Sequence, residues 1–247
     1  AVVVTSPGYS GAPRAPMLAG AILGVLSGLC VSVDLTSAPV LAALAFAALL
    51  GIRRAARAQL AGGMALGAAA GLAPLLLYNH AIFGNPFTLG YSSVVGFDGM
   101  KQGFFGITVP SLPVLREILI GEYRGLLPLS PVLVLVPVGL AAMLRVPGLR
   151  GAALVCAWAM LSYLWINSSY HYWNGGFSTG PRHIVPALPF AAATLAFLWA
   201  LMPRMRWLAA ALLVPGAVIS AVCAAVDMFA PDNVSRPLRD HILPQFL

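Results

Sequence analysis

Residues 170–186 read YHYWNGGFSTGPRHIVP, the densest polar and aromatic segment of the chain. Hydrophobic runs of membrane-spanning length stand on both sides of it. Gly175, Gly176, Gly180 and Pro181 break any helix there. They leave Tyr170, His171, Tyr172, Trp173, Asn174, Arg182 and His183 on an irregular loop. Chemistry of this kind at a membrane face suits a substrate with a polar or charged head.

What flanks the loop sets the fold class. The chain has 247 residues, of which 60% are hydrophobic and 9% charged. A soluble domain is roughly a quarter charged. The mean hydropathy of +0.90 agrees. The apolar runs are continuous and do not alternate, which argues against a barrel. The expectation is an all-α integral membrane protein. Cys30, Cys156 and Cys223 fall singly inside apolar runs, as small packing residues, with no disulfide or metal cluster.

About seven transmembrane helices are expected, near 16–33, 38–52, 60–79, 126–144, 151–169, 187–202 and 207–229, forming one transmembrane domain over 1–247. Gly20, Gly24 and Gly28 recur every four residues in the first span, and Gly63, Gly67 and Gly71 do so in the third. Each set makes a helix face that lets another helix approach closely. Thr36 or Ser37 is positioned to cap the second span. Pro128, Pro131 and Pro137 predict an irregular path through the fourth. A surface helix is expected over 111–120, inside the long loop 84–125 that also carries Tyr91. The sequence opens AVVVTSPGYS, with neither an initiating Met nor a signal-peptide pattern. An upstream N-terminal portion is therefore expected.

Basic residues exceed acidic ones by seven. They sit between apolar runs, so membrane topology explains them better than nucleic acid does. If the 53–59 connection is cytoplasmic, then Arg14, Arg53, Arg54, Arg57, Arg145, Arg150, Arg204 and Arg206 lie inside with no acid among them. The opposite face takes Lys101, Arg116, Arg124, Arg182, Arg236 and Arg239. It also takes every acid: Asp34, Asp98, Glu117, Glu122, Asp227, Asp232 and Asp240. Two substantial loops, 84–125 and 170–186, thus face outward. With one lysine against thirteen arginines, the composition suggests a GC-rich bacterial genome. The inner membrane and periplasmic loops follow from that.

Candidate roles follow from residue type. Arg182 offers a fork suited to phosphate. The neighbouring glycines let backbone N–H groups approach a ligand. Tyr172 and Trp173 can stack on a sugar or sit in the interfacial aromatic belt. Glu122 and Arg124 flank the start of a span and are expected to pair with each other or with headgroups. No HExxH spacing, P-loop or nucleophile elbow is present, and no span carries a central row of acids.

Three segments carry a family resemblance: NHAIFGNPFTLGY (79–91), EYRGLLPLSPVLVL (122–135) and YHYWNGGFSTGPRHIVPALPF (170–190). In that order they resemble the later half of bacterial GT-C superfamily glycosyltransferases. These are relatives of protein mannosyltransferases and lipid A aminoarabinose transferases. The resemblance covers roughly residues 15–200. It implies transfer of a sugar from a polyprenyl-phosphate carrier at the outer face. A cation in a later outer loop would hold the lipid phosphate: Arg182 first, with Arg124 and Lys101 behind it. Tyr172, Trp173, Asn174, His171 and His183 would contact sugar or lipid. The family's catalytic Asp lies in an outer loop upstream of the resembling portion, and no residue matches it. Asp34 and Asp98 are the acids left to consider. No cofactor is expected, and a divalent metal remains open. The alternative is a non-catalytic structural or assembly subunit packed among other membrane subunits.

Overall fold

The computed structural model describes residues 15–90 and 94–246, so Arg14 and Tyr91 lie outside the described residues. Among the described residues the secondary structure is helical, with two isolated bridges and no strand. The chain divides into two compact units, Ala1–Gly96 and Phe97–Leu247.

The first unit holds α1 (Pro16–Val33), α2 (Ala38–Gly51) and α3 (Arg54–Phe83). Gly20 packs on Leu60, Gly24 on Met64 and Gly28 on Ala68 and Gly71. The residue numbers of these partners rise together along both helices, so α1 and α3 run parallel. A Cβ on Gly67 would stand 2.1 Å from the Ala21 carbonyl oxygen. The two glycine faces are thus pressed backbone to backbone. At the end of this seam Ser32 donates to the Gly28 carbonyl at 2.8 Å and the Gly71 carbonyl at 3.3 Å.

Parallel α1 and α3 require the chain between them to return along their length, and α2 does so. The turn into α2 is shaped by Asp34 rather than by a Thr36 or Ser37 cap. Asp34 Oδ1 accepts from Thr36 N–H at 2.9 Å and from the Thr36 hydroxyl at 2.7 Å. Ser37 donates its hydroxyl back to the Asp34 carbonyl at 2.7 Å and makes no cap bond. Only Ile52 and Arg53 separate α2 from α3. Most of the expected 53–59 connection is therefore helix, because RAARAQLA is rich in strong helix formers. At 30 residues α3 is about 45 Å long.

In the second unit, α4 (Leu112–Ile120) leads to α5 (Leu126–Leu129) and α6 (Val136–Arg145). Then come α7 (Arg150–Ser169), α8 (Leu188–Leu201), α9 (Arg206–Val226) and a terminal α10 (Leu243–Phe246). The expected span at 126–144 is not one helix. Prolines break it into α5, a 3₁₀ segment Pro131–Leu135, and α6. α8 packs against α6 and α7, with Gly139 of α6 against the fully buried Thr194 of α8. α9 packs on α5 and the 3₁₀ segment, where Gly216 meets Leu129 and Ser130.

Among the described residues five helices are long and apolar enough to cross a membrane: Pro16–Val33, Arg54–Phe83, Pro147–Ser169, Arg182–Leu201 and Pro203–Val226. The other two expected spans are the shorter apolar helices Leu35–Gly51 and Pro131–Arg145. Among the described residues the count of helices of full spanning length is thus five against the expected seven.

Within the second unit the helices alternate in direction. The α6–α7 and α8–α9 turns share one end, which carries Arg145, Arg150, Arg204 and Arg206. Two of these arginines satisfy carbonyls near helix C-termini. Arg150 Nε donates to Leu144 at 3.0 Å and Arg206 Nε to Trp199 at 2.9 Å. The opposite end collects the loops and all six acids of this unit.

Candidate functional site

The loop 170–181 joins α7 to α8 at that acid-bearing end. It is fastened first to the segment 97–111. Thr108 N–H donates to the Ser169 carbonyl at 2.9 Å, Ser111 N–H to Ser168 at 2.9 Å, and His171 N–H to Gly106 at 2.8 Å. The Tyr172 hydroxyl accepts from Gly99 N–H at 3.1 Å. Its ring meets Phe97 edge-on, with centroids 5.2 Å apart. His171 lies directly over Gly99, where a Cβ would stand 2.2 Å from the imidazole. His183 packs edge-on against Tyr170 at 5.3 Å.

A second fastening comes from Arg124, which has no solvent exposure. Its Nε donates to the Asn174 carbonyl at 3.0 Å and its Nη2 to Gly176 at 2.9 Å. Nη1 donates to the Tyr123 carbonyl at 3.3 Å, and the guanidinium lies 4.0 Å from the Tyr123 ring centroid. Burial pulls its pKa below the ordinary arginine value, opposed by the charge interactions with Tyr123 and Asp232. It stays cationic, since arginine does not deprotonate in proteins. Arg124 does not pair with Glu122, as expected from their spacing, because its fork is turned inward onto loop carbonyls. Glu122 instead pairs with Arg236 at 2.7 Å.

The third element is the segment after α9. The Tyr123 hydroxyl donates to the Asp232 carbonyl and receives Asn174 Nδ2 at 3.2 Å. Asp227, just past α9, holds His241 Nε2 at 2.8 Å and accepts from Phe229 N–H at 2.8 Å. These bonds, the histidine's first, lower the Asp227 pKa below the usual carboxylate value.

Two recesses with polar and charged side chains in their walls open among these elements. One, of about 610 Å³, is lined by Glu117, Tyr123, Trp173, Asp232, Asn233 and Ser235, over Pro113 and Val114. The other, of about 390 Å³, shares Glu117, Tyr123 and Ser235 and adds Arg116, Glu122 and Arg236. A separate apolar groove of about 270 Å³ runs between α6, α7 and α8, with Leu126, Leu133, Leu161 and Leu188 among its walls. Its lining includes Ile184 and Ala187, which belong to the 3₁₀ segment beginning at Arg182.

The expected site residues therefore separate into groups. Trp173 lines the larger recess, while Asn174, Tyr172 and His171 fasten the loop. Arg182 is exposed, and its guanidinium has no hydrogen-bond or ion-pair partner among the described residues. Its stem lies over Gly175, whose φ of +73° favours glycine. A Cβ there would also stand 2.8 Å from Arg182 Cγ. Lys101 and Asp98 pair with each other at 2.6 Å on an exposed 3₁₀ turn. Asp34 belongs to the other unit, where it shapes the α1–α2 turn. Among the described residues no group of three His, Cys, Asp or Glu stands close enough to hold a metal.

Sequence reasoning weighed Glu117 only as one carboxylate of the 84–125 loop and missed Asp232, Asn233, Ser235 and Arg236 as recess residues. The signal available was the run of polar residues after the last span, which reads as a solvated tail until Tyr123 is seen to hold it. The class so defined is an all-helical protein with, among the described residues, five helices long and apolar enough to cross a membrane. Compared with protein-family models, curated proteins and solved structures, the chain matches none.

Proposed function

We propose that the chain is the membrane-embedded part of a GT-C-like glycosyltransferase that binds a polyprenyl-phosphate-linked sugar at its loop-bearing end. One observation carries this reading. The apolar groove and Arg182, whose guanidinium has no partner among the described residues, share the 3₁₀ segment Arg182–Ala187. An isoprenoid chain lying in the groove would bring its phosphate toward that guanidinium, and a phosphate is the partner a free guanidinium fork recognises best.

Arg124 is not the phosphate ligand in this reading, because its donors are spent on loop carbonyls. Lys101 is neutralised by Asp98. The attack of an acceptor hydroxyl on the anomeric carbon, with the carrier phosphate leaving, calls for a carboxylate to align or deprotonate that hydroxyl. Asp34 and Asp98 are occupied locally, so neither is assigned. The charge distribution supports an orientation with the acid-bearing end outside, which is periplasmic if the membrane is a bacterial inner membrane.

The test is native mass spectrometry of detergent-purified protein with a bacterial polyprenyl phosphate. The intact protein retains the lipid, and Arg182→Ala lowers retention about tenfold or more. If the folded intact protein retains no lipid, the reading fails. The chain is then better read as a structural subunit of a larger membrane assembly.

A further inference from the structure

The larger recess has a chemistry of its own. Trp173 and Tyr123 meet edge to face, centroids 5.9 Å apart and planes at 87°, and form an aromatic corner. Glu117, Asp232, Asn233 and Ser235 surround it, and no basic side chain lines it. At about 610 Å³ the recess lies within the roughly 300–1,000 Å³ of small-molecule sites.

The corner is held by bonds that use Glu117 and the Tyr123 hydroxyl. Glu117 Oε1 accepts from Tyr123 N–H at 3.1 Å, which sets the tyrosine. The Tyr123 hydroxyl reaches the backbone carbonyl of Asp232, not its carboxylate. Glu122 anchors the segment through Arg236. Among the described residues, the side chains of Asp232, Asn233 and Ser235 make no hydrogen bond. They supply acceptors, and in Asn233 and Ser235 donors as well.

We propose that this recess binds a pyranose without acidic groups. Apolar C–H faces of a sugar ring pack on aromatic side chains. Its hydroxyls donate to carboxylates and exchange bonds with amide and hydroxyl groups. Two carboxylates line the recess, while the neighbouring cations Arg124 and Arg236 are engaged by loop carbonyls and by Glu122, which disfavours an acidic sugar and favours an amino sugar. This assignment adds a ligand region to the proposed function without depending on the lipid groove. A free monosaccharide carries neither lipid nor phosphate, so either reading can fail while the other stands.

The test is saturation-transfer NMR on protein in an amine-oxide detergent, since maltosides would themselves supply sugar. The probes are glucosamine, methyl glucoside and glucuronate. Saturable binding of the first two is expected on the order of millimolar, with glucuronate about tenfold weaker. Trp173→Leu removes the transfer at unchanged helix content. Asp232→Asn keeps the Tyr123 bond, which uses the backbone, and narrows the gap between glucosamine and glucuronate. Three results overturn the proposal: no saturable binding to folded intact protein, binding undiminished in Trp173→Leu, or glucuronate bound more tightly than methyl glucoside. Should Trp173→Leu fail to fold, the intact protein's selectivity and Asp232→Asn decide.

Discussion

Arg124 donates through Nη2 to the Gly176 carbonyl at 2.9 Å from a position without solvent exposure. The Asn174 carbonyl takes Nε of the same fork. The cation ties its own segment to loop residues about fifty positions further along, through carbonyl dipoles and without a direct ion pair. Such an arrangement is costly to break, because truncation strands buried carbonyls and opens a cavity. Arg124→Met should cost on the order of 3 kcal/mol and lower the detergent melting temperature. Arg124→Lys should not restore it, since a point charge cannot address both carbonyls in one plane. A melting temperature unchanged in both variants would mean that the loop is held elsewhere.

The α1–α3 seam makes a paired prediction. Gly67→Ala places a methyl 2.1 Å from the Ala21 carbonyl oxygen, a backbone atom that cannot turn away. Separation of the two helices should cost several kcal/mol, roughly at the upper end of overpacking effects. Gly62→Ala, in the same helix but with nothing within 4 Å, should be neutral or stabilising by up to about 1 kcal/mol. Equal melting temperatures for the two variants would contradict the seam.

The Asp227–His241 pair makes the tail acid-sensitive. The Asp227 pKa is lowered in the fold, so its contribution is fully present above the ordinary value of 3.8. It is lost as pH falls through the lowered value. Limited proteolysis of residues 227–246 should therefore speed up below about pH 4. In Asp227→Asn that acid-dependent step should vanish. Persistence of the same step in the variant would assign it to another carboxylate.

Tyr172→Phe removes the acceptor of Gly99 N–H and nothing else of the ring packing against Phe97. A loss of about 1 kcal/mol is expected, with faster amide exchange at Gly99 and Met100. Unaltered exchange there would show that the hydroxyl bond does not hold the segment.

Local signals carried much of this protein. Hydropathy marked the apolar helices because burial in lipid is a property of each run by itself. The four-residue spacing of Gly20, Gly24 and Gly28, and of Gly63, Gly67 and Gly71, marked two close-packing faces because helix periodicity is local. Prolines at 128, 131 and 137 marked the broken path for the same reason. What tertiary structure alone decided is which partners these features find. That the two glycine faces meet each other, in parallel, depends on α2 returning between them. Arg124 reads as an interfacial cation until the carbonyls of Asn174 and Gly176 are brought to it. The recess exists only because Tyr123 binds a carbonyl 109 residues further along the chain. Composition and period report the environment a residue needs. Contacts across such separations are set by packing of the whole unit, which no local window contains.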